Sequence, residues 1–145
     1  MNTSQIQWPL NRQSVVQLLQ GYGVQPTQQR VEIAQIMFQQ PCHMSADQVL
    51  STVNEAKPSV SKATVYNTLG LFAEKGILRQ VIVDPNRVFY DSNNSEHHHF
   101  YNVDTGMLTD FSADQVKVDV SPELPEGVVL EGVDVIVRVR NSVKQ

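Results

Sequence analysis

Apolar residues recur three and four positions apart in the first half of the chain, and at every second position in stretches of the last quarter. Val15, Leu18, Leu19 and Tyr22 form a first helical stripe, with Gly21 and Gly23 placed to stop it. Thr27 can cap a second helix with Ile33, Ile36 and Met37 inward, Val31 and Ala34 beside them, and Pro41 as its expected end. Ser45-Ala-Asp-Gln48 has the spacing of a capping box, and Ala46, Val49, Leu50 and Val53 follow on one face. The stretch EAKPSVS, containing Pro58, is a short connector. Ser61 caps a fourth helix over residues 62–75, with Val65, Leu69 and Phe72 inward and Gly76 as its stop.

Two β segments follow, Ile77–Val83 and Arg87–Asp91, around an Asp84-Pro-Asn86 turn. Helix, connector, helix and hairpin in this order predict a winged helix-turn-helix. Further on, Phe100–Val103 and Met107–Phe111 flank Asp104-Thr-Gly106, a plausible hairpin turn. Val133, Val135, Val137 and Val139 alternate within a strand expected over 128–140. The boundary between the two parts falls near residues 91–96, and the fold class is α+β.

Composition sets outer limits. The chain has 145 residues, 41% hydrophobic, with no apolar run of membrane-spanning length. The N-terminus has no basic stretch leading into an apolar core, so no signal peptide is expected. A single cysteine, Cys42, excludes an internal disulfide framework and a four-cysteine zinc site. Together these features predict a reducing, cytoplasmic setting. The net charge is −4 but unevenly spread. Residues 1–90 carry seven Lys/Arg against five Asp/Glu, whereas residues 91–145 carry four against ten. That asymmetry suits an anion-facing half and an acidic half with another task.

Three of the four histidines stand together as His97-His98-His99. On an extended segment His97 and His99 project to one side and His98 to the other. Asp110 is expected on the returning strand near the level of His99, Asp91 ends the wing hairpin, and His43 precedes the Ser45 cap. Imidazoles and carboxylates without thiolate suit Fe(II), Mn(II), Co(II) or Zn(II). The bland alternative is a solvated polar loop. His98, with Glu96, is the candidate for a second metal or haem site. The fourth helix opens Lys62-Ala-Thr-Val-Tyr-Asn67, small, polar and aromatic groups suited to base edges in a major groove. Cys42 reads as a packed small residue rather than a ligand. No nucleophile elbow and no phosphate-binding glycine loop is present.

With these residues in view, the chain resembles the ferric uptake regulator superfamily of metal-dependent bacterial transcription factors. GVQPTQQR (23–30) is similar to its helix-opening motif, and HMSADQVL (43–50) to its His-x-Ser-Ala-acid motif. SKATVYNTLGLFAEKGIL (61–78) resembles its recognition helix, and the His97–Phe111 region the start of its dimerisation domain. The resemblance implies a winged-helix DNA-binding domain over residues 1–91 and a small α/β dimerisation and metal-binding domain over 92–145. It also implies a regulatory site of His43, Asp91, His97, His99 and Asp110 holding Fe(II) or Mn(II), with zinc able to replace them in purified protein. DNA contacts would come from Arg30, Lys62, Thr64, Tyr66, Asn67 and Arg79, with a homodimer on a palindromic operator. Departures are specific. Asn102 and Thr105 stand where most members carry a CxxC pair, so the structural zinc is expected to be missing. Asn67 and Gln25 stand where arginines are common. The C-terminus resembles the haem-responsive iron-response branch, yet its Cys-Pro motif is replaced by Pro41-Cys42. Asp110, an aspartate rather than glutamate, resembles the peroxide-sensing branch. The rival class is a small non-haem metal enzyme with a two-histidine, one-carboxylate centre. A metal-storage protein would leave the recognition helix unexplained.

Overall fold

The computed structural model describes residues 6–55, 60–93, 95–119 and 123–143, which fall into two compact units, Met1–Ser95 and Glu96–Gln145. In the first unit, α1 (Arg12–Gly21) begins at Asn11, whose side chain accepts the Ser14 N–H at 2.8 Å. Thr27 caps α2 (Gln28–Met37). This helix ends before Pro41, because Phe38 turns fully into the core and its ring stacks on Trp8, with centroids 5.7 Å apart. Val31, Ile33, Ala34 and Met37 carry the inner face, and Ile36 is only half-buried.

A strand not anticipated from the sequence, β1 (His43–Ser45), runs directly into α3 (Ala46–Val53). Three residues are too few for alternation to be visible. The capping box forms: Ser45 Oγ accepts the Gln48 N–H at 3.2 Å, and Gln48 Oε1 accepts the Ser45 N–H at 2.8 Å. Ala46 and Val49 are buried, and Leu50 and Val53 pack at the core's edge. Asn54 then grips Val60 from both sides, donating to its carbonyl at 2.8 Å and accepting its N–H at 3.1 Å. The connector residues 56–59, Lys57 and Pro58 among them, lie outside the described residues.

Helix α4 (Lys62–Glu74) starts at the Ser61 cap and buries Val65, Leu69 and Phe72, as expected. Gly76, at φ +80°, supplies the left-handed turn that ends it. Ile77 and Leu78 sink into the core, so β2 begins later than expected, at Arg79–Asp84. It pairs with β3 (Arg87–Asp91), and β1 covers the other edge to give the antiparallel order β1-β3-β2.

In the second unit, β4 (His97–Asn102) lies between antiparallel β5 (Leu108–Ser112) and parallel β6 (Ile136–Val139). β4 starts three positions before the expected Phe100, taking in all three histidines. The long strand expected over 128–140 shrinks to β6. Val128, Val129, Leu130 and Val133 are 51, 87, 59 and 40% exposed. Pairing with β4 covers His99 to Asn102, and just before it the Val135 N–H goes to the His98 side chain.

Hydrogen bonds hold the β4–β5 turn. Asn102 Oδ1 accepts the N–H groups of Asp104 and Thr105 at 2.9 and 3.2 Å. The Asn102 amide donates to Asn141 Oδ1 at 2.9 Å, and Asp104 Oδ2 accepts the Asn141 N–H at 2.9 Å. Thr105 Oγ1 accepts from Met107 N–H at 3.2 Å. The turn is thereby tied to the chain just beyond β6. Asn102→Ala removes three of these bonds at an exposed site, and should lower stability by about 1–2 kcal/mol. Thermal unfolding in EDTA checks this; equal midpoints for variant and parent would show that water replaces the bonds without loss.

Candidate metal centre and nucleic-acid interface

Alternation along β4 sends His97, His99 and Tyr101 to one face and buries all three, while His98 and Phe100 are half-buried on the other. Antiparallel pairing sets His99 directly opposite Asp110. As a result two imidazoles aim at one carboxylate oxygen: Asp110 Oδ1 lies 3.2 Å from His99 Nε2 and 3.8 Å from His97 Nε2. The rings meet edge to face at 4.7 Å. One ligand atom from each of the three residues lies within 4.8 Å of the others. His97 and His99 are 5 and 1% exposed, whereas Asp110 is 39% exposed and opens the cluster towards solvent. Two buried nitrogens and a carboxylate oxygen, with no thiolate, are a donor set that fits a regulatory Fe(II) or Mn(II) ion and also accepts Zn(II).

Asp91 and His43 are opposed partners in the first unit's sheet, at the end of β3 and the start of β1. Asp91 is fully buried, and its Oδ1 accepts the Asn93 N–H at 2.8 Å. The His43 ring meets Phe89 edge-on at 6.3 Å. Beside them, burial raises the Cys42 thiol above its ordinary value, and the Asp91 charge adds to this against a hydrogen bond with Ser92. A thiol so held is a poor thiolate, in keeping with a packing role.

His98 has other company. Its Nδ1 accepts the Val135 N–H at 3.4 Å and its ring packs 5.8 Å from Phe111. With that lone pair in use, a neutral His98 carries its proton on Nε2, and binding a metal or haem would require it to give up the bond or the proton. Glu96 is exposed at the edge of the same strand, and among the described residues no cluster of three or more ligands includes it or His98.

On α4, Lys62, Tyr66 and Asn67 are exposed and Thr64 is half-buried, with its hydroxyl 2.9 Å from Ser61 Oγ. The Lys62 Nζ sits 5.5 Å from the Tyr66 ring centre. The Tyr66 hydroxyl donates to Asp47 Oδ1 of α3 at 2.9 Å. Arg30 donates through Nη1 to the Gln25 carbonyl at 3.0 Å, and Arg79 stands opposite Asp91 at the start of β2. The sequence shows Asp47 as the acid of the HMSADQVL motif in the first turn of a helix, and its contact with Tyr66 is not visible there.

A two-histidine, one-carboxylate cluster in one unit and a winged helix in the other point to a metal-binding regulator of the helix-turn-helix class. The match to known proteins makes the class specific: residues 21–137 fit the model of the ferric uptake regulator family, and the chain belongs to that family. The peroxide-responsive repressor PerR of Staphylococcus aureus is 29% identical over 104 residues, covering 72% of this chain and 70% of its own. Among solved structures, the ferric uptake regulator of Pseudomonas aeruginosa with manganese is 26% identical, with a TM-score of 0.64 over 86% of this chain and 96% of its own. That of Francisella tularensis with iron has a TM-score of 0.67 over 82 and 92%, and at 24% identity it speaks to the fold. The protein is therefore a metal-responsive transcriptional regulator and not an enzyme, of a family that binds operator DNA as dimers. Among the described residues, no helix is long and apolar enough to cross a membrane.

The strand phase makes a test. His97→Ala and His99→Ala should each lower Mn(II) affinity at least about tenfold, and His98→Ala should leave it within a factor of about two. Calorimetric titration of the three variants reads this directly, and damage from His98→Ala alone would invert the ligand assignment.

Proposed function

We propose that this chain is a cytoplasmic, metal-dependent repressor in which Fe(II) or Mn(II), held by His97, His99 and Asp110 with Asp91 and His43, sets the affinity for a palindromic operator. Residues 1–91 are the DNA-binding domain in this reading, and residues 92–145 the dimerisation and metal domain. The convergence of His97 and His99 on Asp110, in a chain of this family, is the observation that carries it. When bound, the cation supplies a positive centre that takes lone pairs from imidazoles and carboxylates together.

The chain's own residues do the rest. β1 and β3 hold His43 opposite Asp91, and β1 runs without a break into α3. Holding His43 therefore holds the start of α3, the helix that packs beside α4. Lys62, Thr64, Tyr66 and Asn67 face base edges, while Arg30 and Arg79 contact phosphates. Two protomers related by a two-fold axis present two such helices, which calls for inverted half-sites.

Operator-binding assays across Mn(II) concentrations test the reading. EDTA should reduce operator affinity at least about tenfold, within the usual span of allosteric coupling. Sedimentation should still show a dimer, since a cysteine zinc clamp is not available to hold it. Chelation that produced monomers would overturn the zinc-independent dimer. Tyr66→Ala should cost about 1–3 kcal/mol of specific binding with thermal stability little changed. Arg30→Ala should weaken binding to all sequences and flatten its salt dependence. Specific binding indifferent to both Mn(II) and Tyr66→Ala would sink the proposal.

A further inference from the structure

The exposed end of Tyr66 is already committed. Its hydroxyl donates to Asp47 Oδ1 at 2.9 Å across the α3–α4 pair, with Lys62 Nζ 5.5 Å from the ring centre. A phenol has one proton to donate and lone pairs to accept with. In the major groove, guanine offers only acceptors at N7 and O6, and phosphates are acceptors too. Adenine N6 and cytosine N4 are donors, and thymine adds a methyl that an aromatic ring can touch.

We infer that Asp47 determines sequence specificity: by taking the only proton of the Tyr66 hydroxyl, it turns this side chain into an acceptor that selects against guanine at the base it faces. The inference rests on α4 being the DNA-reading helix. Tyr66 is 41% exposed and Asp47 is also exposed, so the pair sits at the surface that reads, with no need of burial to form. The bond to Asp47 raises the Tyr66 phenol above its ordinary value, with smaller contributions from burial and from the Asp47 and Tyr90 charges. A phenol is protonated at neutral pH in any case, and the bond favours that form further. Asp47 itself adds a second acceptor that suits a cytosine or adenine amino group. Donors on this helix come instead from Lys62 and the Asn67 amide. Asp47 acts through Tyr66 and is a positioning residue.

Charge and hydrogen bonding can be separated. Asp47→Asn removes the charge but keeps a carbonyl acceptor for the hydroxyl, whereas Asp47→Ala removes both. The full-length protein with Mn(II) would be offered duplexes with a randomised core, and the bound fraction sequenced for the parent, Asp47→Asn, Asp47→Ala and Tyr66→Phe. The parent should deplete guanine roughly tenfold at the base whose preference changes in Tyr66→Phe. Asp47→Ala should bring guanine to within about threefold of the other bases there. Asp47→Asn should keep the depletion, though both variants bind unselected DNA more tightly at low salt. Ultraviolet titration of the phenols should show one group titrating lower in Asp47→Ala than in the parent, a change absent when Tyr66→Phe is the background. Guanine still excluded by Asp47→Ala, Asp47→Asn behaving as Asp47→Ala, or an unmoved phenol titration would each overturn the inference. A consensus unaltered by Tyr66→Phe overturns it too, while leaving metal-dependent DNA binding in place. If the parent selects no consensus at all, the DNA-reading role of α4 fails first and takes this inference with it.

Discussion

A slip of one residue between β4 and β5 would turn His97 and His99 away from Asp110 and put His98 and Phe100 in their place. The register is held from both faces of the sheet. On one face Phe111 packs against Phe100 at 4.5 Å and against His98 at 5.8 Å. On the other, buried Tyr101 stands opposite buried Leu108, next to His97 and His99. The Asn102 turn, with Gly106 at φ +74°, fixes where the hairpin reverses, and β6 pins the far edge from His99 onward. The site is thus a product of strand pairing. The turn bonds of Asn102 matter to the centre because they set which residue of β5 meets His99.

Burying two imidazoles is a costly way to fill a sheet face. A polar ring taken out of water needs partners for its nitrogens, and here ligand atoms of His97, His99 and Asp110 converge within 4.8 Å of one another. A cation held there would take lone pairs from both rings and the carboxylate at once. The histidines stand on a central strand and Asp110 on its hydrogen-bonded neighbour, so the donors are held by backbone pairing rather than by loops. The Asn102–Asn141 tie gives the same unit a clamp made only of hydrogen bonds, insensitive to chelators and to thiol oxidation.

The sequence shows most plainly what local chemistry decides. Thr27, Ser45 and Ser61 cap the helices they mark because a side-chain oxygen and the amide three residues on are fixed by spacing alone. The same holds for the phase of His97 and His99 and for the pairing of Asp110 with His99, which follow from alternation and the length of a hairpin. Features decided by distant partners stay hidden. β1 exists because β3 offers it an edge, α2 ends early because Phe38 finds Trp8, and β6 starts late where the Val135 N–H goes to the His98 side chain. Asp47 belongs with these, since nothing in SADQ says that the next helix places a phenol beside it.

That last contact joins the two halves of the proposed mechanism. His43 lies in β1, Ser45 closes β1 and caps α3, and Asp47 is the second residue of α3. The capping box fixes both Ser45 and Gln48, leaving almost no slack between the strand and the first helical turn. A ligand that holds His43 therefore holds the carboxylate that orients Tyr66. In this reading metal occupancy acts on DNA recognition twice: through the placement of the whole helix pair, and through the hydrogen bond that decides what Tyr66 can accept. The second route needs no large motion, because a shift of a few tenths of an ångström at Asp47 already weakens a 2.9 Å bond.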